Sequence, residues 1–253
     1  MVPSMSGRPS IWGGVFDTWD EAVSAAGSIS KGTSQAFDTE IWMDNQESML
    51  TSARSGVSPR FTNLPILIGV SGARSVVDLG GGSGWTFELV CHNNTIAIQK
   101  YVIIERQNSV DAFAPRFIGD DRVQFFASET VRHDWLNSVD VLYSNSALQY
   151  FPSNRFLAEF IVMCAPKWIL LDDIQTSMGG EFFSTQHYYG TEIPCRFCDV
   201  KKLVKEFQQM GYALKGNWNY PASIGGPWEH SLSKRTDTLH DIGSPRSILL
   251  EAT

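Results

Sequence analysis

Residues Val76 to Gly84 read Val-Val-Asp-Leu-Gly-Gly-Gly-Ser-Gly, a short apolar run that delivers one acid and then a glycine-packed turn into a helix-forming stretch. Glycine lets the backbone take positive φ and lets a ligand approach the main chain closely, and the N-terminus of a following helix offers unpaired N–H groups. The pattern therefore calls for a strand, a tight turn and a helix, with a ligand resting on the turn. About 20 residues further on, a second apolar run, Tyr101-Val-Ile-Ile, ends in Glu105, where an α/β nucleotide-binding unit places the carboxylate that accepts from ribose hydroxyls.

The glycine spacing separates two nucleotide classes. A dinucleotide fingerprint G-x-G-x-x-G beginning at Gly80 needs glycine at position 85, and Trp85 stands there, which disfavours close helix packing over a pyrophosphate and with it an NAD-dependent oxidoreductase. The pattern present is Asp78-x-Gly80-x-Gly82-x-Gly84. An acid ahead of the turn repels a phosphate and attracts an ammonium, and S-adenosylmethionine carries one. The expected cofactor contacts are Asp78, Gly80, Gly81 and Gly82 at the turn, Glu105 and Arg106 after the second strand, Ser128 and Glu129 after the third, and Asn145 and Ser146 after the fourth.

From Ser75 onward, apolar runs alternate with helix-length amphipathic segments, the signature of a doubly wound parallel sheet. The expected fold class is α/β, a seven-stranded Rossmann-like sheet with an N-terminal helical cap. Its strands are read at Ser75–Leu79, Tyr101–Ile104, Val123–Phe126, Val139–Tyr143, Trp168–Leu171, Ala213–Asn217 and Ser247–Glu251. Helices are expected at Trp85–His92, Ser109–Phe117, Thr130–Leu136, Ser153–Cys164 and Phe197–Met210, the last closed by Gly211. Residues 1–70 break the alternation, with helices read at Trp19–Ala26 and around Glu40–Ala53. They form the cap or lid, and residues 71–253 the cofactor-binding domain, because ligands of open α/β sheets bind beyond the carboxyl ends of the strands.

With 253 residues, 43% of them apolar, and a formal net charge of -7, the chain has a sizeable core and no basic surface, so nucleic acid is a poor partner and a small molecule or glycan precursor a better one. No leader and no 18-residue apolar window is present, so the expectation is a soluble, cytoplasmic protein without a membrane span. Cys195 and Cys198 form a C-x-x-C pair without further ligands at zinc spacing, and they are read as reduced thiols, with no metal expected.

The motif Asp78-x-Gly80-x-Gly82-x-Gly84 with Glu105 resembles the class I S-adenosylmethionine-dependent methyltransferases. Trp12-Gly-Gly-Val-Phe-Asp-Thr-Trp19-Asp-Glu-Ala, Val102-Ile-Ile-Glu105-Arg-Gln, Val123-Gln-Phe-Phe and Ser144-Asn-Ser-Ala-Leu-Gln149-Tyr150 resemble, more narrowly, a bacterial methyltransferase family associated with surface-polysaccharide and O-antigen gene clusters. The chain departs from that family's pattern in its glycine-rich turn and in having Asp172-Asp173 where the family tends to have Asp-Arg, which removes a cation at the substrate edge. The resemblance implies methyl transfer to a hydroxyl of a sugar or other small biosynthetic acceptor; a cofactor-binding but inactive partner subunit is the alternative.

Methyl transfer from a sulfonium needs alignment and, for a hydroxyl acceptor, a base. His187, in Ser184-Thr-Gln-His-Tyr-Tyr189, is the first candidate base, since imidazole titrates near neutrality; Asp173 and His133 are the alternates. Trp12, Tyr150, Tyr188 and Tyr189 are the candidates for holding the acceptor ring.

Overall fold

A computed structural model of the chain describes residues 12–27, 36–131, 136, 138–188, 190–221 and 243–253. The strands are β1 (Ser75–Leu79), β2 (Lys100–Glu105), β3 (Val123–Ala127), β4 (Val141–Asn145), β5 (Trp168–Ile174), β6 (Thr176–Ser177), β7 (Phe182–Tyr188), β8 (Thr191–Asp199), β9 (Tyr212–Asn219) and β10 (Arg246–Ala252). The helices are α1 (Trp19–Ala25), α2 (Glu40–Arg54), α3 (Leu64–Ser71), α4 (Trp85–Asn93), α5 (Gln107–Phe113), α6 (Arg155–Cys164) and α7 (Val200–Gln209).

Seven strands form one sheet in the order β3-β2-β1-β4-β5-β10-β9. Strands β1 to β5 pair in parallel, and β10 runs antiparallel to both β5 and β9. Both faces are covered, as a parallel sheet requires. Val77, Leu79, Val102, Ile104, Leu142 and Leu171 pack with α6 and α7 on one face. Val76, Tyr101, Ile103, Val141 and Leu170 pack with Leu50 of α2, Leu64 and Ile68 of α3, and Phe87 and Val90 of α4 on the other. Alternate residues of each strand thus supply two cores.

All seven sheet strands lie where the apolar runs place them, with ends that move by a few residues. β5 is the one whose extension matters: it continues through Ile174, so Asp172 and Asp173 are strand residues and not a loop after it. Two further elements differ from expectation. The helix read from Phe197 begins at Val200, because Thr191–Asp199 pairs with Phe182–Tyr188 as an antiparallel hairpin. Trp12 and Phe16 add bridges to its edge at Gln186 and Phe183. The segment Leu64–Ser71, across the expected boundary at residue 70, is helical, with Pro65 in its first turn where a missing N–H is harmless.

The hairpin also explains the C-x-x-C pair. Three residues apart on a strand, Cys195 and Cys198 face opposite ways: Cys195 packs with Trp12, Phe182 and Phe197, and Cys198 lies in the core under α7. Both are buried free thiols. Among the described residues no three His, Cys, Asp or Glu side chains could hold a metal ion, and no helix is long and apolar enough to cross a membrane.

Asp172 ties the first part of the chain to the sheet. Its carboxylate accepts from the backbone N–H of Asn63 at 2.8 Å and from Asn63 Nδ2 at 2.7 Å, and Asn63 caps α3. An Asp172→Ala substitution leaves those buried donors short of acceptors, so urea denaturation should show a loss of about 1–3 kcal/mol.

Candidate functional site

The turn after β1 is fixed by close approaches. Gly80, Gly82 and Gly84 have φ of 72°, 57° and 79°, which favours glycine at all three. A Cβ on Gly80 would lie 2.5 Å from Cβ of Ala147, just beyond β4, and one on Gly82 would lie 2.3 Å from Oε1 of Gln46 on α2. That same Gln46 oxygen accepts from the backbone N–H of Ser83 at 3.1 Å, supplying one of the acceptors that a helix N-terminus lacks. Ser83 Oγ is buried within the turn without a partner. Gln46 carries no sequence motif; its spacing on an amphipathic helix reads only as a buried-face position.

Asp78 sits beneath the turn and does not project into it. It is buried, its Oδ2 accepts from the Tyr101 hydroxyl at 2.8 Å, and a Cβ on Gly81 would lie 2.8 Å from it. Burial lifts its pKa to about 7, against the Tyr101 bond and with help from the Glu105 charge. Glu105, half-buried at the end of β2, accepts from the backbone N–H of Arg106 at 2.8 Å. Burial also raises it to about 7; the Arg106 N–H and guanidinium oppose this, and Asp38 and Glu129 add to it. The Arg106 guanidinium pairs with Asp38 at 2.9 Å. Ser128 donates its backbone N–H to the Glu105 carbonyl at 2.8 Å, and Glu129 is exposed beside it.

A second group of side chains gathers at the ends of β4 and β5. Asn145 Nδ2 donates to the Tyr143 hydroxyl at 2.9 Å and to the Phe61 carbonyl at 3.2 Å, so its amide holds the 58–63 loop against the strand. Ser146 donates its hydroxyl to Asp173 Oδ2. Both residues are left-handed, with φ of 56° and 53°, a conformation that for non-glycine residues concentrates at functional sites. Asp173 Oδ1 is buried and unpartnered. Burial raises the Asp173 pKa, opposed by the Ser146 bond and by Arg60, with Asp172 adding to the rise. Tyr150 donates its hydroxyl to Gln186 Oε1 at 2.9 Å, and Tyr188 reaches Arg60.

Two expected members stand elsewhere. His187 is exposed, and strand alternation turns it away from Gln186 and Tyr188, which face the group. Trp12 is buried, its ring 4.9 Å from that of Phe197 in an edge contact, so it packs the hairpin and does not line the opening. His133 and Tyr189 lie outside the described residues.

No protein-family model matches the chain, and a search of curated proteins finds no relative. Solved structures do match. Mitomycin 7-O-methyltransferase MmcR superposes with a TM-score of 0.53 at 13% identity, over 93% of this chain and 66% of that one. An O-methyltransferase family protein from Burkholderia thailandensis gives 0.52 at 16% identity, over 92% and 66%. A Listeria monocytogenes protein described as an S-adenosylmethionine-dependent methyltransferase gives 0.51 at 14% identity, over 83% and 99%. The fold is that of the class I methyltransferases. The chain thus spans about two thirds of the length of two of these structures and nearly all of the third. In this chain the glycine turn after β1 and Glu105 at the end of β2 lie at one edge of the sheet.

Two outcomes follow for the class I methyltransferase fold of this chain. Gly80→Ala should destabilise it more than Gly82→Ala in thermal melts: both incur the left-handed strain of about 1–2 kcal/mol, but the Ala147 methyl cannot swing aside and the Gln46 amide can. The second concerns pH. Asp78 and Glu105 start from ordinary values of 3.8 and 4.5 and reach about 7 when folded, so the folded state holds protons that the unfolded chain releases between roughly pH 4 and 7, and their contribution to stability falls as pH rises through that window. Protein without nucleoside should melt higher at pH 5 than at pH 8, and Glu105→Gln should narrow the difference.

Proposed function

We propose that the protein is an S-adenosylmethionine-dependent methyltransferase acting on a hydroxyl of a sugar or other small biosynthetic acceptor. The observation that carries this reading is the junction of Gly80 with Ala147. It sets a nucleoside-binding turn directly beside Ser146 and the buried carboxyl of Asp173, whose second oxygen has no partner. A cofactor cradle and a candidate base therefore share one wall.

The residues fit the cofactor. Glu105, desolvated and held by a single backbone donor, has acceptor capacity for the two vicinal hydroxyls of a ribose. Gly80 to Gly82 offer bare main chain, with Asp78 beneath them shaping the turn and Arg106 holding the strand end through Asp38. Ser128 and Glu129, after β3, would serve the adenine, and the unpartnered Ser83 Oγ beside Gln46 is free to meet the amino-acid end. Within the segment 1–70 read as the cap, α2 supports a covering role, since its Gln46 reaches the turn. S-adenosylmethionine, when bound, supplies a methyl group on a positively charged sulfur, so the donor is already activated.

The rest falls to the protein. Asp173 takes the acceptor proton on Oδ1, Ser146 fixes its other oxygen, and a pKa raised by burial makes the carboxylate a stronger base than an exposed one. Asp173 replaces His187 in this role because His187 points to solvent. Tyr150 and Tyr188 wall the acceptor side. The sequence resemblance to a family linked with surface-polysaccharide clusters supports a glycan precursor as the acceptor.

Calorimetry with S-adenosylhomocysteine tests the reading. Binding is expected, weaker by about 1–3 kcal/mol in Glu105→Gln. Since ribose hydroxyls bond the ionised carboxylate, wild-type affinity should fall as pH drops through about 7. Asp173→Asn should bind the nucleoside normally and transfer no methyl group. A folded protein that ignores millimolar nucleoside overturns the assignment.

A further inference from the structure

The loop that runs over the ends of β4 and β5 brings a cation to the acceptor side that no motif announces. Phe61 is held there twice, its carbonyl accepting from Asn145 Nδ2 and from the Tyr220 hydroxyl, with its ring 5.4 Å from that of Tyr220. Arg60 precedes it and is carried into the same group. Burial works against its charge, but the nearby Tyr188, Asp173 and Tyr220 outweigh this and keep the guanidinium firmly protonated, with the Tyr188 hydroxyl bonded to it.

Eight of the other basic side chains, including Arg54, Arg106, Arg122 and Arg196, lie within 4.0 Å of a carboxylate. Arg60, among the described residues, forms no such pair: Asp173 is near enough to feel its charge and yet outside bonding reach, and bonded to Ser146 instead. A guanidinium has five donors in a planar fork matched to carboxylate and phosphate; among the described residues the Tyr188 hydroxyl alone is bonded to the Arg60 fork, and donors left unmet in a largely enclosed place are costly unless a ligand takes them. Arg60 also borders an open groove of about 840 Å³ between this loop, α3 and the end of α4, so solvent reaches the residue.

We propose that Arg60 is the anion-binding residue of the acceptor site, and that the acceptor is a hydroxy acid. Its carboxylate or phosphate is taken by the Arg60 fork while its hydroxyl lies against Asp173 Oδ1. Asp173 feels the Arg60 charge without being bonded to it, so an acceptor that meets both carries its acid and its hydroxyl within a few bonds of one another. This rests on the methyltransferase reading and narrows its acceptor class. It also supplies, from the loop before α3, the cation that Asp172-Asp173 lacks.

The test uses the full chain saturated with S-adenosylhomocysteine and a panel of hydroxy acids (salicylate, glucuronate, 2-hydroxybutyrate and 3-phosphoglycerate), each set against its amide or neutral alcohol. Calorimetry should find at least one acid bound about tenfold or more tighter than its neutral partner. Arg60→Gln should abolish that preference and Arg60→Lys restore part of it, with nucleoside affinity and circular dichroism unchanged in both. Acids that bind no better than their neutral partners, or a preference that survives Arg60→Gln, overturn the proposal. If the nucleoside itself fails to bind, the methyltransferase reading falls, and the acid preference measured without nucleoside still decides the Arg60 site.

Discussion

At Gly80 the ends of β1 and β4 come so close that a single methyl group would not fit: an added Cβ would stand 2.5 Å from that of Ala147. Every functional inference depends on this contact. It follows from parallel pairing in register, Leu79 against Ser144, with Ser144 Oγ donating to the Leu79 carbonyl at 3.0 Å. Because the two strands leave the sheet side by side, the turn and the Ser146–Asp173 pair cannot drift apart. The cradle and the candidate base are therefore parts of one rigid edge, and alignment comes from the sheet and not from flexible loops.

That edge is electrostatically tense. Asp78 and Glu105 are both pushed to about 7 mainly by burial, each feeling other acids nearby, and Asp173 is pushed up the same way. A structure selected for stability alone would surround these carboxyls with donors, as it does for Asp172 and for Asp140, which accepts from Arg74 N, Ser75 N and Ser75 Oγ. Of these five acids only Asp173 keeps a buried carboxylate oxygen without a partner. Asp172 and Asp173 adjoin in sequence, yet Asp173 is bonded to Ser146 while Asp172 stays locked on Asn63.

Much of the sheet was legible in the sequence because its signals are local. An apolar run of strand length, an acid and glycines at fixed spacing are contiguous in the chain, so β1, α4 and the position of Glu105 follow directly. The hairpin β7–β8 was not legible, since its identity lies in pairing across the tip, and the run through Phe197 reads equally well as the start of a helix. The same pairing hides where His187 and Trp12 point: a one-residue step along a strand decides which face a side chain takes, and Trp12 packs in the hairpin core against residues about 170 or more positions away in the chain.

Gln46 and Arg60 were illegible for a different reason. Each is a single polar residue outside any motif, and each acquires meaning from what it meets: the Ser83 N–H in one case, the Tyr188–Asp173 group in the other. Both come from the segment before β1, which the alternation of strands and helices leaves unexplained. The sheet fixes the turn and the acids at one edge, and the segment ahead of it brings two side chains to that edge from outside the alternation. Arg60 is placed by Phe61 and Tyr220 and stands apart from the contact between Gly80 and Ala147, so a change at Arg60 leaves that contact undisturbed.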